Sequence, residues 1–157
     1  MISIDIPGAN RPLCLHNLVC DYNGTLACDG SLLPDIPTLL TQLSECLNLY
    51  VVTADTFGSV REQLGRLPVE IRILPADAQD LAKEKIVSEL GAAQTASIGN
   101  GFNDSLMLAR AALGICVVLE EGAATRTLQN ADVLCRSITD ALSLFLHPKR
   151  LIATLRR

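Results

Sequence analysis

Residues 16–25 read His-Asn-Leu-Val-Cys-Asp-Tyr-Asn-Gly-Thr. His16–Cys20 is a short, largely apolar run, and it hands over at once to an acid and a glycine turn. That is the signature of a core strand delivering Asp21 to its end. The same unit recurs along the chain. Apolar runs at Leu49–Thr53, Val69–Leu74, Thr95–Ile98, Leu113–Leu119 and Ala131–Leu134 alternate with helix-length segments near 35–47, 57–66, 79–91, 103–111, 122–129 and 138–155. Pro148 is placed to break the last of these helices. Short, nearly continuous apolar strands separated by helices imply a doubly wound α/β domain, with a mainly parallel sheet covered by helices on both faces. The opening Ile-Ser-Ile-Asp-Ile-Pro alternates and precedes Gly8-Ala9-Asn10, so it is expected to add an edge hairpin strand.

Composition bounds the function. The chain has 157 residues, 49% hydrophobic and 19% charged, which fits one α/β domain over 1–157 and excludes a disordered segment. A net charge of −4 argues against nucleic-acid or anionic-membrane binding, and 3% aromatic residues cannot build a base-stacking surface. No run is long enough for a membrane span, and the N-terminus lacks the basic and apolar regions of a signal peptide, so a cytoplasmic location is expected. The six cysteines (14, 20, 28, 46, 116 and 135) include no C-x-x-C pair, and several sit inside apolar runs. They read as free, mostly buried thiols. His16 and His147 have no metal-ligand spacing, and the basic end from His147 to Arg157 reads as a solvated helix terminus.

In a doubly wound fold, ligands bind beyond the carboxyl ends of the strands, which directs attention to the loops after Cys20, Val52, Leu74 and Ile98. After the first core strand stands Asp21-Tyr22-Asn23-Gly24-Thr25, and after the second Thr53-Ala54-Asp55-Thr56. Asp55 or Thr56 suits the N-cap of the next helix better than Thr53, leaving the Thr53 hydroxyl available for an anion. In the helix near 79–91, Lys83 falls on the stripe defined by Ile86, Val87 and Leu90, whereas Lys85 lies roughly 200° away and faces solvent. After the fourth strand comes Gly99-Asn100-Gly101-Phe102-Asn103-Asp104. Each piece has an ordinary explanation alone, as a turn, a cap or a snorkelling lysine. Their order points to one device: an acid that attacks phosphorus, a hydroxyl and a lysine that hold phosphoryl oxygens, and a hard divalent cation bridging the acids.

Through the motifs DYNGT (21–25), TAD (53–55), Lys83 and GNGFND (99–104), the chain resembles the haloacid dehalogenase (HAD) superfamily. More narrowly, it is similar to small soluble proteins that look like the phosphorylation domain of P-type ATPases. That resemblance implies a nucleophilic, Mg²⁺-binding Asp21 and a metal-facing carbonyl at Asn23. It also implies Thr53 and Lys83 on the phosphoryl group, with Asn103, Asp104 and Asn100 completing the phosphate and metal shell. Two positions depart from the wider superfamily. Asn23 stands where its phosphatases carry an acid/base Asp, and proton transfer of that kind contributes about 10²–10⁴-fold. Asn100 stands where a metal-binding Asp is common, which should weaken Mg²⁺ binding. Only positions 26 to 52 separate the first two motifs, so no sizeable cap domain is expected, and Ala27–Pro34 should form a small flap with Cys28-Asp29-Gly30 as its turn. A capless site is compatible with a homo-oligomer.

Two functions follow. One is a slow Mg²⁺-dependent phosphohydrolase acting through an aspartyl-phosphate on a phosphorylated substrate. The other is a non-catalytic phosphate-sensing or partner-binding module with the same fold.

Overall fold

A computed structural model of the chain describes residues 1–54 and 59–157. The strands are β1 (Ile2–Ile4), β2 (Leu13–Leu15), β3 (Asn17–Asp21), β4 (Ala27–Cys28), β5 (Ser31–Leu32), β6 (Asn48–Thr53), β7 (Glu70–Ile73), β8 (Thr95–Gly99), β9 (Leu113–Val117) and β10 (Val133–Cys135). The α-helices are α1 (Ile36–Ser44), α2 (Ser59–Leu64), α3 (Gln79–Glu89), α4 (Ser105–Arg110), α5 (Thr125–Gln129), α6 (Ile138–Leu146) and α7 (Pro148–Leu155). None of the helices among the described residues is long and apolar enough to cross a membrane.

The central sheet has six strands in the order β10-β9-β8-β3-β6-β7, and every neighbouring pair is parallel. The chain runs outward from β3 through β6 and β7 on one side, then returns to build β8, β9 and β10 on the other. The strand order therefore reverses between β3 and β8, where such folds place their ligands. All five residues of β3 are buried, and successive side chains feed opposite faces. Leu18 and Cys20 join the core under α1, α2, α6 and α7, while Val19 joins the core under α3 and α4. Both faces of the sheet are thus covered, which is why its strands read as continuous apolar runs.

Several boundaries differ from the sequence-based expectation, each for a local reason. The opening residues form β1, but it pairs antiparallel with β2 in a separate two-stranded sheet instead of extending the central one. His16 lies between β2 and β3 and not within the strand. The segment expected as a helix from 103 begins as a 3₁₀ turn at Phe102–Asp104, because the Asp104 carboxylate accepts backbone N–H groups there, and α4 follows. Pro148 does end one helix and begin another, with His147 between them. The helix expected from residue 57 is described from Ser59, and Asp55, Thr56, Phe57 and Gly58 lie outside the described residues. All six cysteines are free thiols; Cys20, Cys116 and Cys135 are buried and the other three are half-buried.

The expected flap is present as the β4–β5 hairpin, with Ala27 opposite Leu32 and Cys28 opposite Ser31. Asp29 and Gly30 both have positive φ (48° and 74°), the geometry of a tight two-residue hairpin turn. No larger cap is present among the described residues. Helix α3, which carries Lys83, begins from a left-handed Ala78 at φ 53° and ψ 41°. A non-glycine residue in that region costs about 1–2 kcal/mol. Relief of that strain exceeds or cancels the extra unfolded-state entropy of glycine, so Ala78→Gly should leave stability unchanged or raise it by up to about 1 kcal/mol in a urea titration. A loss above about 1 kcal/mol would contradict this account of the turn.

Candidate active site

The carboxyl ends of β3, β6 and β8 converge because their registers are level. Cys20 pairs with Val51 on one side and Ile98 on the other, and Asp21 stands opposite Val52. Asp21 therefore ends its strand one residue short of Thr53, beside the loop that follows Gly99. Two glycines allow the loops to close on one another. Gly24 has φ +72°, and a Cβ there would lie 2.4 Å from the Asn100 Nδ2 atom. A Cβ on Gly99 would lie 2.5 Å from the Asp104 carboxyl carbon. No other residue fits either place without moving a site side chain.

Helix α3 brings Lys83 into this cluster from the second core face. Its Nζ donates to Asp21 Oδ1 at 2.6 Å and to Asp104 Oδ1 at 2.6 Å. The side chains of Lys83 and Asp104 are 1% and 0% exposed, so their ion pair is made out of contact with bulk water, while Asp21 at 10% keeps an edge toward solvent. Asp104 uses its other oxygen, Oδ2, to accept the N–H groups of Asn100 (2.9 Å) and Gly101 (2.8 Å). The Asn100 carboxamide is tied as well: its Nδ2 donates to the Gly122 carbonyl at 2.9 Å, and its Oδ1 accepts from Thr25 Oγ1 at 3.4 Å. Asn103 Nδ2 donates to Gln79 Oε1 at 2.7 Å.

With both acids ionised, this buried group holds two negative charges and one positive. The imbalance falls on Asp21. Burial, reinforced by the neighbouring Asp104, raises its pKa to about 7 despite the opposing pull of Lys83. For Lys83, burial disfavours the charge, but Asp21 and Asp104 together outweigh it and hold the ammonium above the usual lysine range. A buried, charged lysine beside a carboxyl group displaced toward neutrality marks the cluster as a candidate functional site.

A cavity of about 220 Å³ opens onto Asp21 and is lined by Asn23, Thr53, Ala54, Gln79, Lys83, Asn100, Gly101, Asn103 and Glu121. Six of the seven residues singled out from the sequence line this one space. The seventh, Asp104, stands behind Lys83 with both oxygens committed. Asp55 of the TAD motif lies outside the described residues. Two lining residues escaped the sequence reading. Gln79 carries no motif signal. Glu121 did offer one, since it follows a core strand, but the loop after β9 was not among those singled out.

The donor chemistry fits a hard divalent cation. Asp21 offers a carboxylate, Asn23 a main-chain carbonyl and Asn100 a carboxamide oxygen, all oxygen donors around one small cavity, and Mg²⁺ takes few protein ligands and keeps several waters.

The charge imbalance gives the two partners of one ion pair opposite mutational signs. In the folded protein Asp21 binds a proton up to about pH 7, whereas the unfolded chain releases it at ordinary carboxylate values. Asp21 therefore costs stability as pH rises through that interval, and the full cost persists above it. Metal-free Asp21→Asn should melt higher than the wild type at about pH 8, with the gap closing toward about pH 4. Lys83→Met leaves two adjacent buried carboxylates and should lose about 3–5 kcal/mol at the higher pH. Thermal unfolding across pH checks both; an Asp21→Asn protein that melts lower than wild type at high pH contradicts the charge account.

No protein-family model matches the chain. The uncharacterized protein MJ0073 of Methanocaldococcus jannaschii is 43% identical over 83 residues, covering 50% of this chain and 89% of that protein. Among solved structures, 3-deoxy-D-manno-octulosonate 8-phosphate phosphatase from Moraxella catarrhalis, in complex with magnesium, phosphate and KDO, superposes with a TM-score of 0.71 at 18% identity over 90% of this chain and 94% of that one. A HAD superfamily (subfamily III A) hydrolase from Legionella pneumophila gives 0.71 at 16% identity, over 90% and 87% of the two chains. A zinc-transporting PIB-type ATPase in its E2·Pi state gives 0.63 at 24% identity over 78% of this chain, which corresponds to 20% of the ATPase. At these identities the structural likeness is one of fold. The chain thus belongs to the family of MJ0073, and its fold is the one seen in these HAD superfamily structures, with no large cap among the described residues.

Proposed function

We propose that the protein is a Mg²⁺-dependent, cytoplasmic phosphohydrolase that works through an aspartyl-phosphate on Asp21. The observation that carries this reading is Lys83: an ammonium almost wholly buried, bonded to two carboxylates, at the floor of a cavity that opens onto Asp21. Holding a charged lysine there has a large desolvation cost, and phosphoryl binding gives it a purpose.

In the first step an Asp21 carboxylate oxygen attacks phosphorus and the bond to the leaving oxygen breaks. Lys83 and the Thr53 hydroxyl hold the phosphoryl oxygens, and the Asn103 amide lies on the same wall to add a donor. Asp104 is a positioning residue in this scheme. It fixes Lys83 and folds the loop from Gly99 around its second oxygen. Mg²⁺, when bound, would be held by Asp21, the Asn23 carbonyl and Asn100, with Asp104 behind them, and would neutralise charge on the transferring group. Water then attacks the phosphorus, returning the Asp21 carboxylate and releasing phosphate.

The part of the substrate beyond its phosphoryl group would extend from the cavity toward the flap, whose Asp29 N–H bonds the lining residue Glu121. A phosphorylated sugar is the class that the Moraxella catarrhalis neighbour handles, and we extend that class to this chain as its first candidate. Asn23 cannot exchange a proton near neutral pH, which is consistent with slow turnover.

Hydrolysis of 4-nitrophenyl phosphate with and without Mg²⁺ tests the proposal. Metal-dependent turnover should fall by at least about 10³-fold in Asp21→Asn. Thr53→Ala should lose roughly ten- to a hundredfold in kcat/KM, the worth of one hydrogen bond to a charged group. Equal turnover in wild type and Asp21→Asn would overturn the nucleophile assignment. Absence of turnover combined with phosphate-dependent stabilisation would favour the sensing module.

A further inference from the structure

The phosphohydrolase reading leaves one step without an agent, because Asn23 cannot give a proton to the leaving group or take one from water. The cavity contains one carboxylate that the four motifs do not include. Glu121 lines the same space as Asp21, Asn23, Thr53, Lys83 and Asn100. It comes from the loop after β9, whose backbone is closed by a bond from the Gly122 N–H to the Leu119 carbonyl at 2.9 Å and by Gly122 at φ +75°. That loop is anchored to the site itself. The Gly122 carbonyl accepts from Asn100 Nδ2 at 2.9 Å, and the Ala124 N–H donates to the Asn100 carbonyl at 2.8 Å.

The side chain is oriented from the other direction. Glu121 Oε1 accepts the N–H of Asp29, at the tip of the β4–β5 flap, at 3.1 Å. Its neighbour Glu120 also meets the flap, accepting from Cys28 Sγ at 3.1 Å, but does not line the cavity. Glu121 thus sits exposed at the mouth of the cavity, between the flap and Asn100. Lys83, by contrast, lines the cavity from a buried position, with Asp104 buried behind it. A phosphoryl group bound on Lys83 and Thr53 would turn its leaving oxygen toward that mouth.

Resting on the phosphohydrolase reading, we propose that Glu121 is the general acid and base of the reaction, doing from the β9 loop what Asn23 cannot do from the β3 loop. As Asp21 attacks phosphorus and the bond to the leaving oxygen breaks, the Glu121 carboxyl gives its proton to that oxygen and becomes a carboxylate. When water attacks the aspartyl-phosphate, its proton passes to the Glu121 carboxylate. The acid form is restored, and Asp21 and phosphate are released. No other reactant is required.

The test is a series of substituted phenyl phosphates, running from 4-nitrophenyl to unsubstituted phenyl, with Mg²⁺ present throughout. Glu121→Gln keeps an acceptor for the Asp29 N–H, so the flap anchor survives while proton transfer does not. Its loss in kcat/KM should be small at 4-nitrophenyl phosphate and grow to about 10²-fold or more at phenyl phosphate, where the leaving oxygen most needs a proton. Asn23→Asp introduced into Glu121→Gln should recover at least about tenfold at the phenyl end. A loss of equal size along the whole series, or no loss at all, overturns the assignment and leaves Glu121 as a flap anchor only. A wild type that hydrolyses none of the series overturns the phosphohydrolase reading, and the role of Glu121 falls with it.

Discussion

One buried ammonium holds the working end of this molecule together. Lys83 reaches across from α3 to bond Asp21 at the end of β3 and Asp104 in the loop after β8, each at 2.6 Å. Those contacts join the two strands that flank the point where the strand order reverses. Removing the lysine strands two buried carboxylates, a loss of about 3–5 kcal/mol out of the roughly 5–15 kcal/mol that keeps a domain folded. The glycines follow from the same constraint, since Gly24 and Gly99 leave space that Asn100 and the Asp104 carboxyl occupy. So does the short 3₁₀ turn that interrupts the approach to α4.

The arrangement is electrostatically unfinished. Two carboxylates share one lysine, and Asp21 carries the consequence as a pKa near neutrality. That excess charge costs stability, and strongly displaced buried groups of this kind mark functional sites. Asn23 and Asn100 limit the imbalance by keeping further carboxylates away from the centre. The cavity's second carboxylate, Glu121, is exposed, where water can solvate it. The flap is pinned on both sides of the mouth: Asp29 bonds Glu121, while Leu32 and Gly30 bond Gln63 of α2 at 2.7 and 2.9 Å. Those bonds hold the flap beside the cavity that Glu121 lines.

Much of this was legible in the sequence because the signals were local. The apolar run before Asp21 gave both the strand and the end at which chemistry sits. The helical spacing of Lys83 with Ile86 and Val87 put the lysine on the buried face, and Asp29-Gly30 fixed the flap's turn. What escaped depends on distant parts of the chain meeting. Nothing near Glu121 in sequence says that its loop would be tied to Asn100 and its carboxylate to the flap. Asp104 could be placed in the site by pattern, but its role behind Lys83 appears only once both of its oxygens are seen to be engaged. The N-terminal alternation predicted a hairpin correctly, yet its pairing with β2 instead of the sheet edge depends on Leu13–Leu15, too short a run to stand out.

If Asp21 is the residue that becomes phosphorylated, chemical trapping will find the phosphate there. Protein incubated with Mg²⁺ and a small phosphate donor such as acetyl phosphate is quenched with borohydride, which reduces an acyl phosphate to the alcohol, and the peptides are mapped by mass. Asp21, and no other carboxylate, should be converted to homoserine. Modification at Asp104 or Glu121 instead, or none under conditions in which the donor is consumed, would contradict it.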